Sequence, residues 1–178
     1  MLHIAATNTF ISSNTAGLTE RQRRIYQFLQ ANPAGVLSTI TPEGEPHGVV
    51  INFSINKEFE IFFLTKAATK KYRNLKHSDT VMLTVFDAYK QTTAQVAGKA
   101  EELRDPLAIN GVAGALMSTH LQSGAKTLPP ISKLRAGSYV AFKIDPVSIH
   151  MAIYTRVADQ DEYTDLFESV ESFELEAG

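Results

Sequence analysis

The stretch VLSTITPEGEPHGVVINFS, residues 36–54, holds two runs of strand-forming residues with a turn between them. Residues 36–41 and 47–54 are rich in Val, Ile, Thr and Phe, which are enriched in β-strands. The intervening Pro42-Glu43-Gly44-Glu45 has the Pro and the Gly that tight turns favour. We therefore predict a β-hairpin at this place.

Further short strands follow the hairpin. Alternation and β-forming composition predict them at residues 58–64, 80–86, 92–103, 138–144 and 147–154. The last two are a strand pair or one bent strand interrupted at Asp145-Pro146. Gly98 indicates a bulge or a close backbone approach. Tight turns join most of the strands, which argues against the helical crossovers of a parallel sheet.

Three helices are predicted around these strands. The first begins at Thr19, because a Thr-x-x-Gln capping-box pattern starts there, and Pro33 stops it. Residues 67–77 form a short second helix, and residues 105–121, which open with an Asp-Pro pair, form the third. Together the elements predict a mainly β fold, a small antiparallel barrel with flanking helices.

The composition fits one soluble globular domain: the chain has 178 residues, 44% of them hydrophobic, with no Cys and no Trp. Without Cys there is no disulfide, no thiolate metal site and no Cys nucleophile, and no spacing resembles a zinc cluster. The apolar stretches are too short to span a bilayer, and residues 1–17 lack the pattern of a signal peptide. We expect a cytoplasmic protein with no metal and no membrane contact.

The net charge of −2 hides an uneven distribution. Residues 159–178 hold eight acidic residues and no basic one, so residues 1–158 have 17 basic against 11 acidic residues, a charge of +6. We expect a flexible arm at residues 1–17, one domain at residues 18–156 and an acidic tail at residues 157–178 without a role in the barrel. A helical stripe in this tail would dock on a neighbouring surface; its residues are Leu166, Phe167, Val170 and Phe173.

The densest basic patch has no acid between Ile61 and Ser78 and consists of Lys66, Lys70, Lys71, Arg73 and Lys76. Taken alone, these residues fit a polyanion, a small phosphorylated ligand or a solvated helix face. Nucleic acid is disfavoured as a partner, because Tyr72 alone does not make a stacking platform.

Several short motifs occur in a characteristic order between residues 30 and 103. They are Asn32-Pro33-Ala34-Gly35-Val36-Leu37-Ser38-Thr39, Gly44-Glu45-Pro46, Phe62-Phe63-Leu64-Thr65, Thr69-Lys70-Lys71 and Val96-Ala97-Gly98-Lys99-Ala100-Glu101. In this order and spacing the chain resembles the pyridoxamine 5′-phosphate oxidase-like family of FMN-binding split β-barrels. The resemblance implies a six-stranded antiparallel split β-barrel of Greek-key type with FMN as its cofactor.

The resemblance also implies which residues bind FMN. Those at the phosphate are Thr65, Thr69, Lys70 and Lys71, where a helix start and lysine charge favour an anion. Those at the flavin ring are Thr93, with Gln91 or Gln95 in its place if the register differs, and the backbone of Val49, Val50, Ile51 and Asn52. Leu64, next to Thr65, is also expected to contact the cofactor. On the residues alone, Lys70 and Lys71 equally fit a solvated helix and Thr93 a plain strand residue.

Two departures from the family limit what the resemblance implies. Oxidases of the vitamin pathway have an arginine at the position of Val49 and end in a basic, Trp-containing segment, whereas this chain ends in Asp and Glu. We therefore do not assign oxidation of a phosphorylated pyridoxamine. Some split barrels bind haem through a late histidine, and His150 is the residue here that supports this alternative.

The leading interpretation is an FMN-dependent oxidoreductase in which hydride passes through flavin N5, with no catalytic side chain named. A non-catalytic flavin-binding or stress-response protein and a haem- or deazaflavin-binding barrel remain alternatives. A small barrel has no room inside for the ring, so we expect a homodimer with flavin at the subunit interface. The candidate interface faces bear Phe62 and Leu64 and part of residues 92–100, unless the chain's own third helix covers Phe62.

Overall fold

A computed structural model describes residue 10 and residues 14–122, 139–154 and 169–174, with only the backbone for residues 120–122 and 169–174. The helices of these ranges are α1 (Glu20–Ala31), α2 (Lys70–His77) and α3 (Pro106–Gln122). The strands are β1 (Ala34–Ile40), β2 (Pro46–Ile55), β3 (Ile61–Thr65), β4 (Thr80–Asp87), β5 (Thr92–Leu103), β6 (Val140–Ile153) and β7 (Ser169–Glu174).

Six of the strands close into an antiparallel barrel. β1 pairs with β2 and with β4, β2 pairs with β3, and β5 pairs with β4 and with β6. Pairing of β3 with β6, from Ile61↔Ile144 to Thr65↔Val140, closes the ring. The mainly β fold and the six-stranded antiparallel barrel are therefore confirmed.

Alternate side chains of the strands fill the barrel. Leu37, Phe53, Phe63 and Leu83 are fully buried, and the Phe63 ring stacks on that of Phe142 with centroids 5.5 Å apart. Burial of such side chains contributes about 25 cal/mol for each Å² of apolar surface removed from water. The barrel therefore encloses a packed core.

Helices α1 and α2 pack at opposite ends of the barrel. The Tyr26 hydroxyl of α1 donates to the backbone oxygen of Ile55, at the end of β2. The Asn74 amide of α2 donates to the Thr39 hydroxyl, near the end of β1. Since β1 and β2 are antiparallel, these two contacts lie at different ends.

The helix starts follow the local sequence. Thr19 and Gln22 form the predicted capping box of α1. Helix α2 begins at Lys70, three residues later than predicted, because the Thr69 hydroxyl accepts from the Tyr72 N–H and caps the helix there. The Asp105 carboxylate accepts from the Leu107 N–H at the start of α3.

β6 is one continuous strand, the second of the two predicted alternatives. Its register with β5 shifts between Ala97↔Ser148 and Gly98↔Pro146. A methyl group on Gly98 would lie 2.5 Å from the Asp145 carbonyl oxygen. Gly98 thus allows both the bulge and the close backbone approach that the sequence indicates.

Part of the acidic tail forms β7, an element that the sequence does not predict. β7 pairs with β6 from Ile153↔Ser169 to Ser148↔Glu174, outside the closed ring. Of the expected helical stripe, Val170 and Phe173 lie in this strand, and Leu166 and Phe167 lie outside the described residues. Strand pairing is non-local, so a helical spacing does not exclude it.

Helix α3 covers the outer side of β3. Phe62 is 2% exposed and packs with Phe10, Val112 and Leu116. Leu64 is half-buried against the same cluster. This side of the barrel is therefore covered by the chain itself, as the sequence allowed for Phe62.

Every helix in the described ranges falls short of the length and apolarity that a membrane crossing needs.

Candidate functional site

The end of β3 and the start of α2 bring two hydroxyl groups together. Thr65 is 5% exposed, and its Oγ1 lies 3.0 Å from Oγ1 of Thr69. Thr69 Oγ1 also donates to the Lys66 carbonyl at 2.8 Å. As in any helix, the first N–H groups, here those of Lys70 and Lys71, have no acceptor within the helix. These groups make the start of α2 favourable for an anion.

Lys71 is a half-buried cation beside this helix start. Its Nζ lies 5.7 Å from the centroid of the Phe63 ring, a cation–π distance. Burial lowers the pKa of Lys71 from 10.5 to about 8. None of the ion pairs among the described residues includes it. Within this part of the chain Lys71 therefore has no partner charge, and a bound anion would supply one.

The rest of the basic patch divides in two. One part is exposed and consists of Lys66, Lys70 and Arg73. The pKa of Glu43, in the turn between β1 and β2, is lowered mainly by a hydrogen bond with Thr41 and to a smaller extent by the charges of Arg73 and Lys70. The turn therefore lies within the field of α2. Lys76, by contrast, pairs with Glu102 at 3.2 Å, and the Tyr72 hydroxyl donates to the same carboxylate.

Part of the second strand has no partner strand on one side among the described residues. β2 pairs with β3 only from Phe53↔Phe63 to Ile55↔Ile61. If the same register is continued by two residues, Ile51 of β2 is opposite Thr65 of β3. In an antiparallel strand, alternate residues direct their N–H and C=O groups to each side. Within the described ranges, no strand pairs with β2 on this side between Val49 and Asn52.

The side chains of these four residues differ in placement. Ile51 is 4% exposed and its side chain belongs to the core. Its N–H and C=O groups point to β1, because it lies two residues before Phe53, whose N–H donates to the Pro33 carbonyl, so the backbone groups on the open side are those of Val50 and Asn52. Val49 is half-buried, Asn52 is exposed, and Val50 is 66% exposed on the outer face. That outer face also bears Val36 and Phe86, which are 41% and 61% exposed.

Thr93 lies far from this cluster within one chain. It is half-buried, points outwards and pairs with Phe86 on one side and Ala152 on the other. β2 and β5 lie on opposite sides of the closed ring, with β1 and β4 between them on one side and β3 and β6 on the other. Along the sheet their separation is about 14 Å, at 4.7–4.9 Å per strand. The predicted binding residues other than Thr93 therefore lie on three neighbouring stretches, the middle of β2, the end of β3 and the start of α2, whereas Thr93 lies apart.

Asn74 is a polar residue of the site region that the sequence analysis missed. It is fully buried, and its Nδ2 donates to Thr39 Oγ1 at 3.0 Å. Thr39 Oγ1 in turn donates to the His47 carbonyl at 3.2 Å. These bonds fasten α2 to the hairpin that bears the β2 edge. The sequence could have indicated Asn74, because it lies three residues after Lys71 and therefore on the same side of the predicted helix.

His150, the residue that supports a haem alternative, and His47 of β2 have different surroundings. His150 is exposed on the outer face, in register with Gln95 and with Ser172 of β7. His47 is half-buried in register with Thr39, and its Nδ1 has no hydrogen-bond partner among the described residues.

A separate cleft of about 790 Å³ lies on the other side of α2. Charged residues of both signs line it, including Lys76, Lys99, Glu102 and Asp105. None of the predicted binding residues lines this cleft.

The closed barrel, the uncovered β2 edge and the basic start of α2 define a split barrel with a candidate anion site. The sequence profile of the pyridoxamine 5′-phosphate oxidase family matches residues 22–152. The chain therefore belongs to the pyridoxamine 5′-phosphate oxidase family. No curated protein sequence matches it significantly.

Solved structures share the fold at low sequence identity. A conserved hypothetical protein of Mycobacterium tuberculosis has a TM-score of 0.61 and 22% identity, over 78% of this chain and 88% of that one. A pyridoxamine 5′-phosphate oxidase-related, FMN-binding protein of Nostoc punctiforme has a TM-score of 0.58 and 15% identity, over 90% and 100%. A haem-binding protein of Mycobacterium smegmatis has a TM-score of 0.64 and 12% identity, over 88% and 59%.

Proposed function

We propose that this protein is an FMN-binding oxidoreductase. The proposal rests on three neighbouring features at one end of the barrel: the edge of β2 that no described strand pairs with, the start of α2, and Lys71, which has no ion pair among the described residues. FMN, when bound, supplies hydride transfer through its N5, while the protein binds the cofactor, orients it and limits access of water. We name no catalytic side chain.

The phosphate would be held at the start of α2. The N–H groups of Lys70 and Lys71 are the available donors, and the two ammonium groups supply charge. The hydroxyl hydrogens of Thr69 and Thr65 are bonded to the Lys66 carbonyl and to Thr69 Oγ1, so each hydroxyl would have to turn in order to donate to the phosphate. Such charge-assisted hydrogen bonds contribute roughly 1.5–3 kcal/mol each. A phosphate beside Lys71 would also offset the cost of burying its charge.

The flavin ring would lie on the uncovered edge of β2. The N–H and C=O groups between Val49 and Asn52 that point away from β1 fit the donors and acceptors of a pyrimidine edge. The barrel interior is filled by side chains such as Phe53 and Phe63, so the ring has to lie outside it.

We further propose a homodimer with two equivalent flavin sites at its interface. The apolar outer face with Val36, Val50 and Phe86 offers a surface for a second copy. A two-fold axis through this face exchanges its two ends. It would bring Thr93 of the partner subunit toward the β2 edge, which Thr93 of the same chain does not reach.

A cytoplasmic location is also proposed, and the absence of Cys supports it.

Titration with FMN and riboflavin tests the cofactor proposal. Riboflavin lacks only the phosphate, so Lys70→Ala combined with Lys71→Ala should weaken FMN at least about tenfold and leave riboflavin nearly unchanged. Lys57→Ala is the matched control, because Lys57 is an exposed lysine in the β2–β3 turn and pairs with Glu58. Equal losses for both ligands would remove the phosphate assignment.

Light scattering after size exclusion tests the dimer. A dimer that loses flavin on dilution is expected, whereas a monomer that binds FMN tightly and stoichiometrically would refute the shared site. Turnover with NAD(P)H separates an enzyme from a flavin-binding protein without activity.

A haem-binding protein is the second candidate. It is favoured by the exposed position of His150 on the outer face and by the shared fold with the Mycobacterium smegmatis protein. The absorption spectrum of the purified protein separates the two candidates. A haem Soret band that is lost in His150→Ala would replace the FMN proposal.

A further inference from the structure

Asn74 links α2 to the strand that bears the proposed ring site. Its Nδ2 donates to Thr39 Oγ1 at 3.0 Å, and Thr39 Oγ1 donates to the His47 carbonyl at 3.2 Å. His47 belongs to β2 and lies three residues before Val50 of the uncovered edge. Asn74 lies three residues after Lys71, on the same side of α2. Two hydrogen bonds therefore connect the helix of the proposed phosphate site with the strand of the proposed ring site.

The other side-chain hydrogen bonds of α2 lead to other strands. Tyr72 donates to Glu102 of β5, and the capping residue Thr69 contacts Thr65 of β3. Within the part of the chain that the structure describes, Asn74 is the residue of α2 whose side chain forms a hydrogen bond with the β1–β2 hairpin. Loss of this bond would leave α2 attached to the barrel, with its position relative to β2 less tightly fixed.

Stability alone does not account for an amide at position 74. Asn74 is fully buried, and its Oδ1 has no hydrogen-bond partner among the described residues. A buried amide oxygen without a partner costs free energy, and leucine, with as many side-chain heavy atoms, would avoid that cost. Because a hydrogen bond requires a defined distance and angle, the amide fixes one position of the helix where an apolar side chain would permit several.

We propose that Asn74 and Thr39 are positioning residues that hold the start of α2 at the distance from the β2 edge that one FMN molecule spans. This role rests on the proposed function, in which α2 binds the phosphate and β2 binds the ring. A ligand with two binding ends gains affinity from the second end only if the two sites stand at a separation that the ligand can bridge. The hydrogen bonds of Asn74 therefore allow the phosphate of FMN to add to the affinity of its ring.

The ratio of FMN affinity to riboflavin affinity tests this role, because riboflavin lacks only the phosphate. Titration followed by flavin fluorescence measures both affinities in protein that circular dichroism shows to be folded. Asn74→Ala and Thr39→Val should each lower the ratio about three- to tenfold, the factor that one net hydrogen bond supplies. FMN binding should weaken and riboflavin binding should stay unchanged. Thr39→Ser keeps the hydroxyl and should keep the wild-type ratio.

The double variant Asn74→Leu with Thr39→Val separates positioning from stability. Replacement of both partners by apolar side chains of similar shape is nearly neutral for stability, and the His47 carbonyl keeps a backbone donor in the β1–β2 ladder. The urea midpoint should therefore stay near that of the wild type while the ratio still falls. Thr119→Val is the matched control, because it removes another buried threonine hydroxyl, bonded to Ala115 within α3, and should leave the ratio unchanged.

The outcomes distinguish this role from the proposed function itself. A wild type without preference for FMN over riboflavin would overturn the proposed function, and the role of Asn74 with it. A preference that is lost in Lys70→Ala combined with Lys71→Ala, but kept in Asn74→Ala and in the double variant, would overturn the role of Asn74 alone. An equal fall of the ratio in Thr119→Val would also overturn it, because the loss of any buried hydrogen bond would then have the same effect.

Discussion

Replacing Lys71 with Met is expected to stabilise the ligand-free protein at neutral pH and to weaken the proposed binding of a phosphorylated ligand. The Lys71 ammonium is half-buried next to the Phe63 ring and forms no ion pair within the described residues. Burial lowers its pKa from 10.5 to about 8. Met keeps most of the length and the apolar contacts of the side chain without the charge.

The magnitude follows from the pKa of Lys71. The difference between 10.5 and about 8 corresponds to at most about 3.5 kcal/mol, at about 1.4 kcal/mol for each pH unit. Water still reaches a half-buried ammonium, so we expect a cost of only about 1–2 kcal/mol. Below pH 8 this cost is present in full, because Lys71 is protonated in both the native and the unfolded protein. Between about pH 8 and pH 10.5 the native protein releases the proton while the unfolded chain keeps it, so stability rises with pH.

Urea unfolding of the cofactor-free protein across about pH 7 to 9.5 measures this effect. Lys71→Met should be more stable than the wild type at pH 7, and the difference should shrink as the pH rises. Lys70→Met is the control, because Lys70 is exposed and its replacement should leave the pH dependence unchanged. A Lys71→Met protein that is less stable at pH 7, or a difference that does not change with pH, would refute the reasoning.

Three further substitutions or deletions test the fold around the site. Gly98→Ala should lower stability by about 1–3 kcal/mol, because its methyl group would lie 2.5 Å from the Asp145 carbonyl oxygen; an unchanged urea midpoint would contradict this close approach. Asn74→Ala should cost about 1–3 kcal/mol in the same assay, because it leaves the buried Thr39 hydroxyl without its donor. Truncation after Arg156 should keep the barrel's circular dichroism and FMN binding but uncover the edge of β6, so that light scattering detects association; loss of the barrel signal would mean that β7 is needed for folding.

Much of the fold is predictable from local patterns. The β1–β2 hairpin, the limits of β5 and the capping box of α1 agree with the sequence, because alternation, turn residues and caps act over a few neighbouring residues. The bulge at Gly98 is predictable for the same reason, since glycine in a strand marks a close approach. The matched motifs, with their order along the chain, also carry the family.

For the predicted binding residues too, the sequence predicts what depends on near neighbours and misses what depends on packing. Thr65, Thr69, Lys70 and Lys71 are near one another in sequence, so their meeting at one helix start requires only the short segment between β3 and α2. Their role with FMN stays a prediction. The burial of Lys71 beside Phe63 was not predictable, because it depends on how α2 packs on the barrel end, and a sequence of charged residues equally fits a solvated face.

The remaining features depend on contacts between distant parts of the chain. The barrel closes by pairing of β3 with β6, β7 pairs with the C-terminal half of β6, and Phe10 contacts Gly111 of α3. Such contacts depend on which surfaces remain exposed after the local elements have formed. Side-chain periodicity predicts which face of an element is buried, but it does not predict the strand or helix that packs against that face. The distance of Thr93 from the β2 edge has the same origin, because the strand order of the sheet, and not the spacing of residues, places two strands between them.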